Sequence, residues 1–253
     1  MAQAESGGAA SSGRPLALLI AAYRAFAYVG LLSIFGSILY GFRYHASAPA
    51  ANFGFDLLLY AAFILPHLVM TRAWWKRTLV GNPAGSPAER RFYITFTILT
   101  WFAVLWLHRS VPGPALVLSE DWLVVGASLR FLGTIAFLLS LLLFFQGATA
   151  AGIDGLLGVP GSVSRYSHGP ETPLFADGPY AEIRHPMYRA AIYAGLASLL
   201  IHPNASQLFW ISLIGATFVG FIPIEEAQMI AARGDDYRRY MERTPYRLFK
   251  GIW

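Results

Sequence analysis

One short stretch in the last third of the chain concentrates side chains that can do chemistry. Residues 178–188 hold Tyr180, Arg184, His185 and Tyr188, and an apolar run follows them directly. A pair of adjacent glutamates lies at the far end of the next two apolar runs. Polar groups are costly to hold at a membrane boundary, so such a cluster indicates a functional site. The alternative is a charged loop that only anchors the end of a helix.

These side chains are suited to a ligand that has several kinds of polar group. The guanidinium and the imidazole can donate to a carboxylate, and the two phenol rings offer faces for a cation or an aromatic base. Glu225 and Glu226 offer negative charge for an ammonium or a sulfonium. S-adenosylmethionine has all of these groups. A lipid headgroup or a haem propionate would satisfy the Arg and the His equally well.

The composition indicates an integral membrane protein. Of the 253 residues, 56% are hydrophobic and 13% are charged, and the mean hydropathy is +0.48. Soluble domains carry about 25% charged residues. The net charge of +5 could suggest nucleic acid, but the basic residues lie beside apolar runs, which favours membrane lipids as partners. Because the chain has no cysteine, disulfides, thiol nucleophiles and Cys-based metal sites are excluded.

Apolar runs define the expected fold, an all-α polytopic membrane helical bundle. We expect a disordered tail over residues 1–15 and one domain over 16–253, with a C-terminal cytoplasmic helix interrupted by Gly234. The first run is too long for the apolar core of a signal peptide. A run of about 20 apolar residues can cross a bilayer. The six predicted spans are 16–42, 53–71, 92–108, 122–145, 187–201 and 207–224.

Charge distribution predicts the orientation of this bundle. If both termini are cytoplasmic, most of the 19 Lys and Arg residues lie on the cytoplasmic side, whereas Arg43 and Arg109 lie outside. This asymmetry follows the positive-inside rule, and we expect the inner membrane of a bacterium. Both polar clusters then share the cytoplasmic face. The long loop over 146–186 lies on the same face, and connections of this length are usually functional or disordered.

Several short motifs follow one another in a fixed order. The core motifs are Gly178-Pro179-Tyr180, Arg184-His185-Pro186-Met187-Tyr188, Glu225-Glu226 and 234–240, and the upstream motifs are 66–72, 89–93 and 152–158. The order of the core motifs resembles that of the integral-membrane methyltransferases, which include isoprenylcysteine carboxyl methyltransferases and phospholipid methyltransferases. The upstream motifs are closest to the methanethiol S-methyltransferase branch and less close to the NnrU-like branch.

This resemblance implies S-adenosylmethionine-dependent methyl transfer, with S-adenosyl-L-methionine as the cofactor. Methyl transfer mainly requires positioning and exclusion of water, so no catalytic residue is assigned; His185 and Glu226 are candidates to assist deprotonation. The expected cofactor-binding residues, taken from the resemblance and the donor chemistry above, are Thr172, Leu174, Phe175, Tyr180, Arg184, His185, Pro186, Met187, Tyr188 and Glu225.

Departures from the family pattern indicate the acceptor, and single residues indicate the competing functions. Phe221 stands where the prenylcysteine enzymes place a substrate-binding Arg, which favours a small thiol such as methanethiol, with a lipid or isoprenoid acceptor next. One alternative is an NnrU-like haem-binding isomerase or nitrogen-oxide-related protein, in which His67 would ligate haem. We expect His67 instead to be a hydrogen-bonded core histidine. Another alternative is a lipid-binding scaffold without activity.

Overall fold

Helices form all the regular structure in the part of the chain that a computed structural model describes, which is residues 13–81, 86–115, 123–162 and 174–253. This confirms the all-α fold class. Ala115 and Asn204 form an isolated bridge between two loops. In chain order the helices are α1 (Gly13–Tyr40), α2 (Ala51–Met70), α3 (Ala73–Val80), α4 (Pro87–Leu107), α5 (Leu123–Ala150), α6 (Ile153–Leu156), α7 (Pro179–Glu182), α8 (Pro186–Ile201), α9 (Ala205–Arg233) and α10 (Asp235–Arg243).

Four of the described helices, α1, α2, α5 and α9, are long and apolar enough to cross a membrane, so the predicted count of six spans is corrected to four. Helix α8 has 16 residues. At 1.5 Å per residue it is about 24 Å long, less than the hydrocarbon core of roughly 30 Å. Helix α4 has 21 residues, but its first turns contain Glu89, Arg90 and Arg91, so only its later part is apolar.

The outer surface of these helices is apolar. On α5, for example, Val124, Phe131 and Leu142 are each more than half exposed. A continuous surface of this kind is stable in hydrocarbon rather than in water. The protein is therefore an integral membrane protein, as the composition predicts.

Hydrogen bonds between loops stabilise one end of the bundle. The backbone N–H of Arg43 donates to Nε2 of His108 over 3.0 Å. Nε2 of His202, in the turn between α8 and α9, lies 2.9 Å from the carbonyl oxygen of Leu39 at the end of α1. Since α8 and α9 turn at this end, the start of α8 and the last turns of α9 meet at the opposite end, as the common face predicted for the two polar clusters requires.

Helix α8 lies close to α5 because α5 has glycines at the contact. A Cβ atom at Gly133 would be 2.8 Å from Cβ of Leu200, and one at Gly147 would be 3.0 Å from Cγ of Met187. Small residues allow this close approach of helices in membranes. The contact fixes both ends of α8 and thereby the residues at its start.

The loop that follows α5 is bound to α1 and α4. Asp154 of α6 accepts a hydrogen bond from the hydroxyl of Tyr28 over 3.1 Å and pairs with Arg24 over 3.1 Å. Nε of Arg90 donates to the carbonyl oxygen of Leu156 over 2.5 Å. Arg24, which the sequence places inside a predicted span, therefore has a carboxylate partner at the same end as the polar clusters.

The orientation of this bundle can be measured with single cysteines, because the chain has none of its own. Ala46, in the loop after α1, and Glu242, in α10, are both exposed and lie near opposite ends of the bundle. We expect a membrane-impermeant maleimide added outside intact cells to label Ala46→Cys and to label Glu242→Cys only after the membrane is opened. Labelling of Glu242→Cys in intact cells would contradict cytoplasmic polar clusters.

Candidate functional site

Proline residues start both α7 and α8, a position where the missing N–H costs nothing. The link between these helices is extended, and the C-terminal segment binds its backbone. The N–H of Arg184 donates to the carbonyl oxygen of Tyr246, and the N–H of His185 donates to that of Arg247, each over 3.0 Å. Two short helices and the chain after α10 therefore fix the directions of these two side chains.

A buried carboxylate joins three separate parts of the chain. Oε1 of Glu226 accepts from Nε of Arg184 over 2.6 Å and from Nε2 of His185 over 3.2 Å, and Oε2 accepts from Nε of Arg247 over 3.0 Å. The Glu226 side chain is 4% exposed. We call these four residues the Glu226 cluster. Because both oxygens are engaged by cationic or donor groups, Glu226 is poorly placed to take a proton from a substrate, which weakens its candidacy as a base.

Arg184 is also committed to the protein itself. Its NH1 donates to the carbonyl oxygens of Thr244 and Pro245, over 2.7 Å each. The residue is 5% exposed, and buried charge is stable only with such partners. Its guanidinium, predicted to bind a ligand carboxylate, mainly links the Glu226 cluster to the C-terminal segment.

Glu225, next in sequence to Glu226, belongs to a second group of side chains. The hydroxyl of Tyr188 donates to Oε2 of Glu225 over 2.7 Å, and Nδ1 of His185 lies 3.7 Å from the same oxygen. The rings of His185 and Tyr188 are stacked, with centroids 5.4 Å apart, and Phe218 packs on Tyr188 at 5.0 Å. The His185 ring therefore lies between the two carboxylates, and the two distant polar stretches form one site.

A small cleft opens beside these clusters. An edge-to-face contact between Phe175 and Tyr180, with ring centroids 5.5 Å apart, forms part of its wall. The hydroxyl of Tyr240 donates to the carbonyl oxygen of Tyr180 over 2.8 Å and joins α10 to α7. Its lining residues are Leu174, Phe175, Tyr180, Arg184, Met229, Tyr237 and Tyr240.

None of the other predicted site residues that the structure describes lines this cleft. Pro186 and Met187 lie against Gly147 of α5, so they set the position of α8 and are not part of the cleft lining. Thr172 lies outside the described residues. His185, Tyr188 and Glu225 adjoin the cleft through the Glu226 cluster and through Met229, which is one helical turn beyond Glu225.

The phenols of the cleft remain neutral. Burial raises the pKa of Tyr180, Tyr237 and Tyr240 well above the ordinary value for tyrosine. These side chains therefore offer aromatic faces and neutral hydroxyl groups rather than charge, a lining that suits an aromatic base.

Sequence reasoning missed three of the cleft residues and the C-terminal partners of Arg184. Met229 could have been found, because it lies four residues after Glu225 and shares its helix face. Tyr237 and Tyr240 belong to the motif over 234–240, but their direction depends on how α10 folds back after Gly234 (φ +56°). Nothing in the local pattern around Arg247 indicates a contact with Glu226.

His67 has hydrogen-bonding partners at both ring nitrogens. Nδ1 lies 2.6 Å from the carbonyl oxygen of Phe63, and Nε2 lies 2.8 Å from Oγ1 of Thr97. The residue is 3% exposed and sits among aromatic rings. This arrangement is that of a hydrogen-bonded core histidine, as predicted. Haem ligation would require one nitrogen to leave its partner.

The fold and the site together define an integral membrane protein with a polar, aromatic-lined site at one end of a helical bundle. Methanethiol S-methyltransferase 1 of Bradyrhizobium diazoefficiens is 28% identical over 198 residues, which cover 75% of this chain and 64% of that protein. Methanethiol S-methyltransferase of Crocosphaera subtropica is 26% identical over 199 residues, which cover 75% of this chain and 72% of that protein. The predicted resemblance to this branch of the membrane methyltransferases is confirmed.

The match with the first relative spans less than two thirds of that protein's length. No family model matches the chain, and no solved structure matches it.

The Glu226 cluster makes a prediction about stability. Glu226→Gln leaves the buried guanidinium of Arg184 without its counter-charge, and breaking a buried ion pair costs about 3–5 kcal/mol. We expect a large fall in the thermal unfolding midpoint of the detergent-solubilised protein. Glu182→Gln is the matched control, because Glu182 forms an exposed pair with Lys250 over 3.3 Å, and such pairs contribute at most about 1 kcal/mol. Equal shifts for the two variants would refute a structural role for Glu226.

Proposed function

We propose that this protein is an S-adenosylmethionine-dependent methyltransferase that transfers a methyl group to a small thiol at the cytoplasmic face of the membrane. One observation supports this most strongly. Tyr188 and Glu225, which are 37 residues apart in sequence, meet over 2.7 Å beside a cleft lined with aromatic rings. Similarity to two methanethiol S-methyltransferases points to the same chemistry.

The residues at the site fit this cofactor in their chemistry. The rings of Phe175, Tyr180 and Tyr237 can hold an adenine, since aromatic faces stack with nucleobases. The carboxylate of Glu225 lies one helical turn from Met229 in the cleft and attracts positive charge. When bound, the sulfonium supplies an activated methyl group. Arg184 and His185 hold the carboxylates in place rather than acting on the methyl group.

The remaining work of the protein is positioning. Leu174, Met229 and the tyrosines surround the cleft with apolar or neutral surface, so that water is excluded from a bound nucleotide. The Glu226 cluster ties α8, α9 and the C-terminal segment to one another, so the walls of the cleft keep a fixed geometry. Holding two reactants in a fixed geometry can lower the barrier of a bimolecular transfer by about 7–11 kcal/mol.

An apolar groove provides a route for the acceptor. It lies between α1, α8 and α9. Ala191 and Ile192, on its α8 wall, come one turn after Tyr188, and Ile214 on α9 precedes Phe218 by one turn. The groove therefore leads along one helix face towards the pair formed by Tyr188 and Glu225. Its apolar lining suits a small, uncharged, membrane-permeant thiol.

The proposed activity predicts a product that can be measured. Purified protein with methyl-labelled S-adenosylmethionine should methylate methanethiol or ethanethiol, and should transfer less label to phospholipids or prenylcysteines, because the groove and Phe221 offer no cation for their charged groups. Gas chromatography of the volatile thioether measures the first reaction, and lipid extraction measures the others. Transfer to none of these acceptors, or a Soret band in the purified protein, would contradict the proposal.

Binding of the cofactor is predicted separately. Stacking between a base and an aromatic ring is worth about 1–3 kcal/mol, so Phe175→Ala should weaken the affinity for S-adenosylmethionine by roughly 5-fold to 150-fold in titration calorimetry. Phe131→Ala is the control, because Phe131 is exposed on the outer face of α5 and its loss should leave the affinity unchanged. Equal affinities of the two variants for S-adenosylmethionine would show that the cofactor does not bind in this cleft.

A further inference from the structure

We propose that Glu225 is the catalytic base that takes the proton from the acceptor thiol. This inference rests on the proposed methyl transfer to a thiol and assigns the residue that activates the acceptor. Glu225 was expected from the sequence only to bind the cofactor, and the candidates to assist deprotonation were His185 and Glu226.

Transfer to an alkyl thiol requires removal of a proton. The thiolate, not the thiol, is the effective nucleophile, and an alkyl thiol is mostly protonated at neutral pH. A thiol that dissolves in the apolar groove is also uncharged, because charge is strongly disfavoured there. A group at the end of the groove must therefore accept the proton when the methyl group is transferred.

The other polar groups of the site are already engaged. Both oxygens of Glu226 accept hydrogen bonds from the Glu226 cluster. Since a carboxylate can only accept, Nε2 of His185 must carry its proton towards Glu226, and its Nδ1 faces Glu225 rather than the groove. The buried Glu226 is therefore not free to take a proton from an acceptor, and the remaining lone pair of His185, on Nδ1, lies on the side of the ring nearest Glu225, 3.7 Å from its Oε2.

Glu225 has the capacity that these groups lack. Among the described residues, the hydroxyl of Tyr188 donates a hydrogen bond to Oε2 of Glu225. An ionised carboxylate has about four acceptor positions on its two oxygens. The side chain of Glu225 is 15% exposed, whereas that of Glu226 is 4% exposed. The hydrogen bond from Tyr188 fixes the orientation of the Glu225 carboxylate and leaves acceptor positions on it that can take a proton.

Glu225 lies between the apolar groove and the aromatic cleft. On α9, Phe218, Glu225 and Met229 are seven and four residues apart and therefore share one helix face. Met229 lines the cleft, and Phe218 packs on Tyr188 one helical turn beyond the groove residue Ile214. An acceptor that moves along the groove thus reaches Glu225 before it reaches the cleft.

The environment of Glu225 includes titratable or charged groups from every element packed around it. They are His185 and Tyr188 at the start of α8, Glu226 beside it on α9, Arg90 and Tyr93 on α4, and Tyr180 and Tyr237 from α7 and α10. Four of these neighbours are phenols, and the guanidinium of Arg90 supplies a positive charge on the α4 side.

The step balances in atoms and charge. The thiol sulfur forms a bond to the methyl carbon, and the bond from this carbon to the sulfonium sulfur breaks with its electron pair remaining on that sulfur. The thiol proton passes to a carboxylate oxygen of Glu225. A positive sulfonium and a negative carboxylate are thereby converted into a neutral thioether and a neutral acid, a change that apolar surroundings favour. Release of the proton to water restores the carboxylate.

A comparison of two acceptors tests this assignment. Aromatic thiols are more acidic than alkyl thiols, so they depend less on a base. We expect Glu225→Gln, at saturating S-adenosylmethionine, to lower kcat for ethanethiol by about 100-fold or more, the usual contribution of a general base, and to lower kcat for thiophenol by less than ten-fold. An equal loss with both acceptors would overturn the assignment.

Two further variants and one binding measurement complete the test. Glu225→Asp keeps a carboxylate and should recover part of the activity towards ethanethiol, whereas Glu242→Gln, an exposed position on α10, should change neither rate. Calorimetry gives a readout independent of turnover: Glu225→Gln should bind S-adenosylmethionine within ten-fold of the unmodified protein. A larger loss of affinity would make Glu225 a cofactor-binding residue instead. If the unmodified protein methylates neither thiol, the proposed function fails, whatever Glu225 does.

Discussion

The structure of the site depends on one buried carboxylate and the groups that neutralise it. Glu226 lies in α9, Arg184 and His185 lie at the start of α8, and Arg247 lies in the C-terminal segment. A buried charge without partners is costly by several kcal/mol, so these segments are stable only when they are together. The walls of the aromatic cleft are parts of the same segments, and the cluster therefore determines the shape of the cleft.

This arrangement gives two adjacent residues different properties. Glu226 faces the cationic groups and stabilises the fold, whereas Glu225, one position earlier and about 100° around the helix, faces Tyr188 and the rest of the bundle. A helix that ends a membrane hairpin is well suited to this division, because one of its faces meets the C-terminal segment and another meets the apolar interior. The groove along α8 and α9 lies one helical turn from Tyr188, on the membrane side of the site.

Much of this could be predicted from the sequence, because it follows from composition and local order. The apolar runs predict the helical bundle, and the turn at 202–204 brings His185 and Glu225 to the same end. The count of spans was wrong because α4 and α8 are apolar over too few residues to cross a membrane by length and composition. The role of Glu226 and the contribution of Arg247 could not be predicted, since they depend on how the chain after α10 folds back on the link before α8. Thr172 lies outside the described residues, and its role stays a prediction.

The central claim is that one cavity, formed by α7, α9, α10 and the residues before α7, holds a sulfonium nucleotide with its reactive end towards Glu225. An experimental structure of the protein with S-adenosylhomocysteine bound in lipid nanodiscs tests this most directly. Our account predicts the adenine among Phe175, Tyr180 and Tyr237, and the thioether sulfur on the side of the cleft nearest Glu225. Ligand density in another part of the bundle, or with the sulfur pointing away from Glu225 towards solvent, would contradict it.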